Sequence, residues 1–216
     1  MRVLEIGDRK TLPGTIYEAV SVLRRGGAVV FPTDTLYALG VDATSKDAVE
    51  RLFHIKRRPA SRPVSIFVKD IAMTKRYAYV DYGKDKILER IWPGAVTVVL
   101  YKKALLPDLL TAGGNTVGVR VPDHEIPRIL VKSLNAPITA TSANISGKAP
   151  SGRLAEILDQ FKEYDIQPDL VLDMGDLPPG RTASTVVDLS REIPKVLRTG
   201  PISKEELHTL FGLTVS

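Results

Sequence analysis

Gly26-Gly27-Ala28-Val29-Val30-Phe31-Pro32-Thr33-Asp34-Thr35-Leu36-Tyr37-Ala38-Leu39-Gly40 is the stretch whose reading decides the fold. Paired glycines close whatever precedes them, because glycine tolerates the left-handed backbone that ends a helix. The apolar run Ala28 to Phe31 is short, partly β-branched and bounded by breakers, which reads as a strand buried on both faces. Pro32 has no N–H for a sheet ladder and stops that strand. Thr33 to Gly40 then reads as a loop with the hydroxyls of Thr33, Thr35 and Tyr37 and the carboxylate of Asp34 set beside a core strand. A turn whose Thr and Asp side chains satisfy nearby backbone accounts for it as well as a binding loop does.

Outward from this stretch, helical and extended patterns mix. Upstream, Arg2 to Ile6 reads as a strand, and Thr11 caps a helix to about Arg25 with Ile16, Ala19, Val20 and Leu23 on one face. Downstream, Ser45 caps a helix to about Lys56, Val64 to Val68 is a strand, and helices run from Asp70 to about Ala78 and from about Gly83 to Ile91. Trp92-Pro93-Gly94 turns into a strand from Ala95 to Tyr101, followed by a strand from Thr116 to Val121 and a helix from about His124 to Leu134. Pro137 to Ala140 feeds the polar loop Thr141 to Gly147, and Ser151 caps a helix to about Glu163. Leu170–Asp173, Ser184–Leu189 and Lys195–Arg198 are late strands before a terminal helix capped by Ser203. With no linker, repeat or low-complexity tract, residues 1–216 read as a single α/β domain on a mixed, twisted open sheet.

The 216 residues include no Cys, which excludes disulfides, thiolate catalysis and Cys-based zinc sites. No apolar run reaches the ~20 residues of a membrane span, and charges interrupt the N-terminus, so a cytoplasmic protein with no membrane partner is expected. A net charge of +5 suits nucleotides, phosphorylated substrates or nucleic acid. The common phosphate loops are absent, and His54, His124 and His208 show no HExxH or G-x-S-x-G context, so a zincin or hydrolase triad is not expected.

What remains is cations beside hydroxyl-rich loops. His54-Ile55-Lys56-Arg57-Arg58-Pro59-Ala60-Ser61-Arg62-Pro63 sits where a helix ends. Lys56 and Arg57 there can be explained by the helix dipole, at about 0.3–1 kcal/mol each. That explanation covers Arg62 poorly, because Pro59 has already ended the helix. Lys56, Arg58 and Arg62 could surround a polyphosphate and stabilise charge developing as pyrophosphate leaves. Ser142 and Asn144 alternate at a strand end, where open α/β sheets place ligands, although both are equally good turn formers. The cationic stretch is half a site: its reading depends on the Ser142–Asn144 loop meeting it across the fold.

Together these stretches resemble the YrdC/TsaC family of threonylcarbamoyl-adenylate synthases in its short single-domain form. Lys56-Arg57-Arg58 matches the family's K-x-R, Ser142-Ala143-Asn144 its S-x-N, and Pro32 to Gly40 its P-T-[DE]-T-x-Y-[GA]-L-G segment. Trp92-Pro93-Gly94, Val119-Arg120-Val121-Pro122, Ser184-Thr185-Val186-Val187-Asp188 and Leu197-Arg198-Thr199-Gly200 follow in the family's order. The resemblance implies a concave, positively charged cleft and a nucleotidyltransferase that joins L-threonine, bicarbonate and ATP into threonylcarbamoyl-adenylate and pyrophosphate. A separate transferase would pass the group to tRNA. It further implies that Thr33, Thr35, Tyr37, Arg120, Ala140 and Ser184 form the threonine pocket. Arg58, Arg62, Thr116, Ser142, Asn144 and Arg198 would contact ATP, with Lys56 and Arg58 as the catalytic cations. ATP enters as substrate, magnesium is expected with it, and no bound organic cofactor is. Metal ligands are unassigned, and Asp34 is at best a guess.

Two features depart from the family. Phe67 stands where some members carry a histidine, and the sequence ends soon after Gly200, where longer members continue into a second domain. The competing reading is a non-catalytic RNA-binding module of the same fold, with weak tRNA binding through the basic concavity. It explains the charge but not the Thr33–Tyr37 loop, and the aromatics are scattered along the chain with no base-stacking platform.

Overall fold

The computed structural model describes residues 1–212. Its strands are β1 (Arg2–Glu5), β2 (Val29–Phe31), β3 (Ala38–Gly40), β4 (Ser65–Phe67), β5 (Val96–Tyr101), β6 (Thr116–Arg120), β7 (Ile138–Ser142), β8 (Leu170–Asp173), β9 (Thr185–Asp188) and β10 (Lys195–Arg198). Its helices are α1 (Leu12–Arg24), α2 (Lys46–Lys56), α3 (Ile71–Tyr77), α4 (Tyr82–Ile91), α5 (Glu125–Leu134), α6 (Leu154–Lys162) and α7 (Lys204–Phe211).

The strands form one 10-stranded sheet in the order β1-β8-β2-β3-β7-β4-β6-β5-β9-β10. It is mixed: β1–β8, β2–β8, β4–β6 and β5–β9 are parallel, and the other neighbours are antiparallel. The apolar runs of β2 and β8 lie deepest, with Val29, Val30, Phe31, Leu170, Val171 and Leu172 fully buried. Both edges are short and charged, with Arg2 and Glu5 on β1 and Lys195 and Arg198 on β10, which discourages pairing with other chains. Helix α1 packs against α5 and β8, and α4 against α7.

Several local expectations change. Ala38–Gly40 is a strand rather than loop, pairing with β2 and with β7. A Cβ on Gly40 would lie 2.4 Å from Ile138 Cγ2 and 2.6 Å from the Phe31 ring, so this glycine answers to close packing and not to a turn. Strand β7 runs on through Ser142, which pairs opposite Ala38. Thr11 does not cap α1 through its side chain; Asp8 Oδ1 instead accepts from Lys10 N and Thr11 N. Ser151 lies two residues ahead of the α6 cap, and Asp176 Oδ1 accepts from Leu154 N. The 3-10 turn Asp108–Thr111 carries no apolar period and was not expected.

Register builds the floor of the site. Ala140 lies opposite Ser65, Phe67 beside Arg120, and Val96 beside Thr185. Because strand side chains alternate between faces, Ala140 and Ser142, Ser65 and Phe67, Gly118 and Arg120, and Ser184 and Val186 form same-face pairs.

Candidate active site

A cavity of about 220 Å³ opens on that face, lined by Thr33, Thr35, Tyr37, Arg58, Ala140, Ser142, Ser184, Arg198 and Arg120 among others. The expected residues Lys56, Arg62, Asn144 and Thr116 are not part of this wall. Thr116 starts β6 at the end remote from Arg120, paired with Tyr101. Arg62 is exposed on the loop after α2, and its carbonyl accepts from Arg58 Nε at 2.9 Å.

The Thr33–Tyr37 loop is a fixed relay. Thr33 Oγ1 donates to Leu36 O at 2.6 Å and accepts from Thr35 N at 3.0 Å. With its proton committed, Thr33 Oγ1 is the acceptor in its 3.0 Å contact with Thr35 Oγ1. Thr35 Oγ1 also accepts from Arg120 Nη1 at 2.9 Å, which leaves it one lone pair to offer a donor in the cavity. The Tyr37 hydroxyl donates to Gly175 O and accepts from Met174 N, so it holds the 174–184 crossing loop while its ring faces the site.

Arg120 is 3% exposed and heavily engaged. Its Nε donates to Gly94 O at 2.8 Å, its Nη2 lies 2.6 Å from Asp34 Oδ1, and its guanidinium stands over the Phe67 ring. The Nη2–Oδ1 approach is a buried ion pair. Burial lowers the affinity of Arg120 for its proton and Asp34 opposes that, so the pair keeps a buried cation in place. Arg198 donates from Nε and Nη2 to Ser184 O, and Ser184 Oγ shares a 2.8 Å hydrogen bond with Thr97 Oγ1.

The cationic stretch and the Ser142–Asn144 loop do meet. Lys56 Nζ donates to Ser142 O at 2.6 Å, Asn144 O at 2.7 Å and Asn144 Oδ1 at 3.3 Å. All three ammonium protons are thus committed to the loop, and Lys56 acts as its internal clamp. Ser142 Oγ donates to Asn144 Oδ1 at 2.6 Å, and Asn144 Nδ2 donates to Ile145 O and Lys148 O. Burial, with Arg58 adding repulsion, pushes the Lys56 ammonium down to about 7. Arg58 is held by the carbonyls of Arg62 and Pro63, half-buried and next to Arg62. No carboxylate pairs with Lys56, Arg58 or Arg62 among the described residues. Unpaired cations this close favour an anionic ligand. Arg57, by contrast, takes the left-handed conformation that ends α2 and stacks over Tyr164.

A Sua5/YciO/YrdC family model, described as "Telomere recombination", matches residues 21–200. The chain belongs to this family. A Pyrococcus abyssi (strain GE5 / Orsay) protein named threonylcarbamoyl-AMP synthase is 36% identical over 195 residues, spanning 90% of this chain and 56% of that protein. The chain therefore covers little more than half the length of that curated relative. The structure of P. abyssi Sua5 complexed with L-threonine is similar at a TM-score of 0.89 and 32% identity, covering 100% of this chain and 62% of that one. E. coli YciO is similar at a TM-score of 0.82 and 28% identity, covering 95% of this chain and 98% of that one.

In this member of the Sua5/YciO/YrdC family, several wall residues went unread in the sequence. Ser65, Thr97 and Val186 are ordinary strand residues until register places them on the cavity face. Arg181, in a loop with no periodicity, donates from Nη1 to Thr33 O at 3.1 Å. His124 proves to be the N-cap of α5, its Nδ1 accepting from Ile126 N. The residues present do not fit a magnesium site. No group of three His, Cys, Asp or Glu side chains converges among the described residues, and Asp34 is paired with Arg120.

Proposed function

We propose that the chain makes threonylcarbamoyl-adenylate and pyrophosphate from L-threonine, bicarbonate and ATP. The observation that carries this reading is the convergence, in one cavity, of two kinds of group. Thr35, Arg120 and Ser184 suit an amino acid, while the unpaired Arg58 and the Ser142 hydroxyl suit a polyphosphate. The threonine-bound P. abyssi neighbour supports the same substrate.

The threonine amine first attacks bicarbonate, forming an N–C bond with loss of water. A carboxylate oxygen of the resulting carbamate then attacks the α-phosphorus as the bond to the β-phosphate breaks, and pyrophosphate leaves with that electron pair. Little covalent work falls to the protein, which must align the groups, exclude water and hold the leaving charge. The free lone pair of Thr35 suits an N–H of threonine, and Arg120 supplies a buried positive field for its carboxylate. Arg58 faces the phosphates. Lys56 acts one step back, fixing the carbonyls of Ser142 and Asn144. Magnesium, if required, would enter with the nucleotide and not on protein carboxylates. The mixed anhydride would be consumed by a transferase acting on tRNA.

Pyrophosphate release should require both threonine and bicarbonate. Full turnover without threonine would refute the reading. Arg58→Ala should lower kcat/KM by about 100-fold or more, the scale of losing a charge-stabilising donor, with an unchanged circular dichroism spectrum.

A further inference from the structure

The Thr33–Tyr37 loop carries one charged side chain that the proposed chemistry does not use. Thr33 and Thr35 both line the cavity, and Asp34 between them does not. Its carboxylate stands behind Arg120 instead, with Oδ1 2.6 Å from Nη2 and only 15% of the side chain exposed. The backbone before and after it is pinned. Arg181 Nη1 donates to Thr33 O at 3.1 Å, and Thr35 N donates to Thr33 Oγ1 at 3.0 Å. Asp34 therefore has little freedom to point elsewhere.

Arg120 needs such an anchor. It shares the cavity wall with Arg58 and Arg198, and no carboxylate side chain belongs to that wall. Burial disfavours the Arg120 cation and the Arg198 guanidinium repels it, while Asp34 opposes both. An arginine left free would have to be ordered each time a ligand arrived, which weakens binding. Here the fork is ordered in advance, with Nε on Gly94 O at 2.8 Å, Nη1 on Thr35 Oγ1 at 2.9 Å and Nη2 against Asp34. Of the five N–H groups of a guanidinium at least two stay open, enough to hold a carboxylate by both oxygens.

We propose that Asp34 is a positioning residue which, through Arg120, sets how strongly the cavity prefers a carboxylate to a neutral group on the amino acid. The inference rests on the threonine reading of the cavity. Asp34 touches neither substrate nor reacting atoms. It holds the guanidinium beside Gly94 O and Thr35, so that the remaining N–H groups are ordered before threonine enters. A threonine carboxylate then meets a preorganised partner, whereas threoninamide, with nearly the same shape and no negative charge, gains little from it. Asp34→Asn keeps the shape and loses the charge, which leaves Arg120 to burial and to the repulsion of Arg198. Asp34→Glu keeps the charge.

The test is calorimetric titration of threonine, threoninamide and ATP into wild type, Asp34→Asn, Asp34→Glu, Arg120→Gln and the double variant Asp34→Asn/Arg120→Gln. Asp34→Asn should weaken threonine binding by about 10-fold or more and ATP binding by no more than about 2-fold. The preference for threonine over threoninamide should shrink by the same factor, which a merely loosened fold would not do. Asp34→Glu should restore both. In steady state the loss should appear in the KM for threonine, with kcat little changed. Adding Asp34→Asn to Arg120→Gln should cost nothing further, because the group through which it acts is gone. The proposal fails if Asp34→Asn tightens threonine binding, as removing a competitor for Arg120 would, if threonine and ATP weaken alike, or if the two single losses add. It also fails if kcat falls and KM does not, which would put Asp34 on the reacting atoms. These outcomes are separate from failure of the adenylate-forming reading, which falls if pyrophosphate release does not need threonine.

Discussion

Lys56 shows how a single side chain acquires a role that its position in a motif does not disclose. It is 1% exposed, has carbonyl acceptors and no carboxylate partner, and its ammonium is pushed down to about 7 by burial and by Arg58. The unfolded chain keeps this proton up to about 10.5 and the folded chain releases it near 7, so between those values the unfolded state binds more protons. Stability should therefore rise with pH across that window. Lys56→Met should lack this component, which urea midpoints at pH 6.5, 8 and 9.5 would reveal as a wild-type advantage growing with pH. On the proposed function, the negative charge of a polyphosphate held by Arg58 restores the charge of Lys56 behind it. ATP binding above pH 7 should then take up a proton, seen as a buffer-dependent enthalpy in calorimetry. An enthalpy identical in buffers of different ionisation heat would contradict it.

At the scale of elements, close strand approach limits what the site can tolerate. Gly118 on β6 lies between β4 and β5, and a Cβ there would fall 2.3 Å from Ser65 Oγ and 3.3 Å from Thr97 Cγ2. Both neighbours line the cavity, so Gly118→Ala must displace the floor. It should destabilise by about 1–3 kcal/mol, as overpacking does, and, on the proposed function, raise the KM for threonine. Guanidinium unfolding and steady-state kinetics together check this. Thr185, at the start of β9, pins the corner after β10: its Oγ1 donates to Ile202 O and accepts from Gly200 N and Ile202 N. Thr185→Val keeps the shape and strands those backbone groups. The three groups are half-buried, so water recovers part of the roughly 1–3 kcal/mol that each would cost if fully buried, and a loss of about 2–4 kcal/mol is expected in urea denaturation.

For the whole molecule, the cavity gathers groups from β3, β4, β5, β6 and β7 and from the loops before β3 and β9, so a ligand there ties together most of the sheet. On the proposed function, ATP at about 100 times its Kd should add about 2.7 kcal/mol of stability. For a chain of this length that is a Tm increase of about 5–10 °C, at about 2–4 °C per kcal/mol. Differential scanning fluorimetry with ATP, with threonine and with both would measure it. The ATP-induced shift should vanish in Arg58→Ala, and its persistence there would remove Arg58 from the nucleotide site.

Sequence alone determined the mixture of helices and strands, the buried run Ala28–Phe31, the cap at Ser45 and the two loops that meet at Lys56. These are legible because breakers, caps and apolar periods act over a few residues. It did not determine that Ala38–Gly40 is a strand, since small residues and a glycine look like a turn until Phe31 and Ile138 close on them. Nor did it place Ser65 and Thr97 at the cavity, bring Arg181 to the Thr33 carbonyl, or turn Lys56 away from the cavity. Those outcomes depend on strand order and register, which pair residues distant in the chain, and only the tertiary fold decides which side chains then share a face.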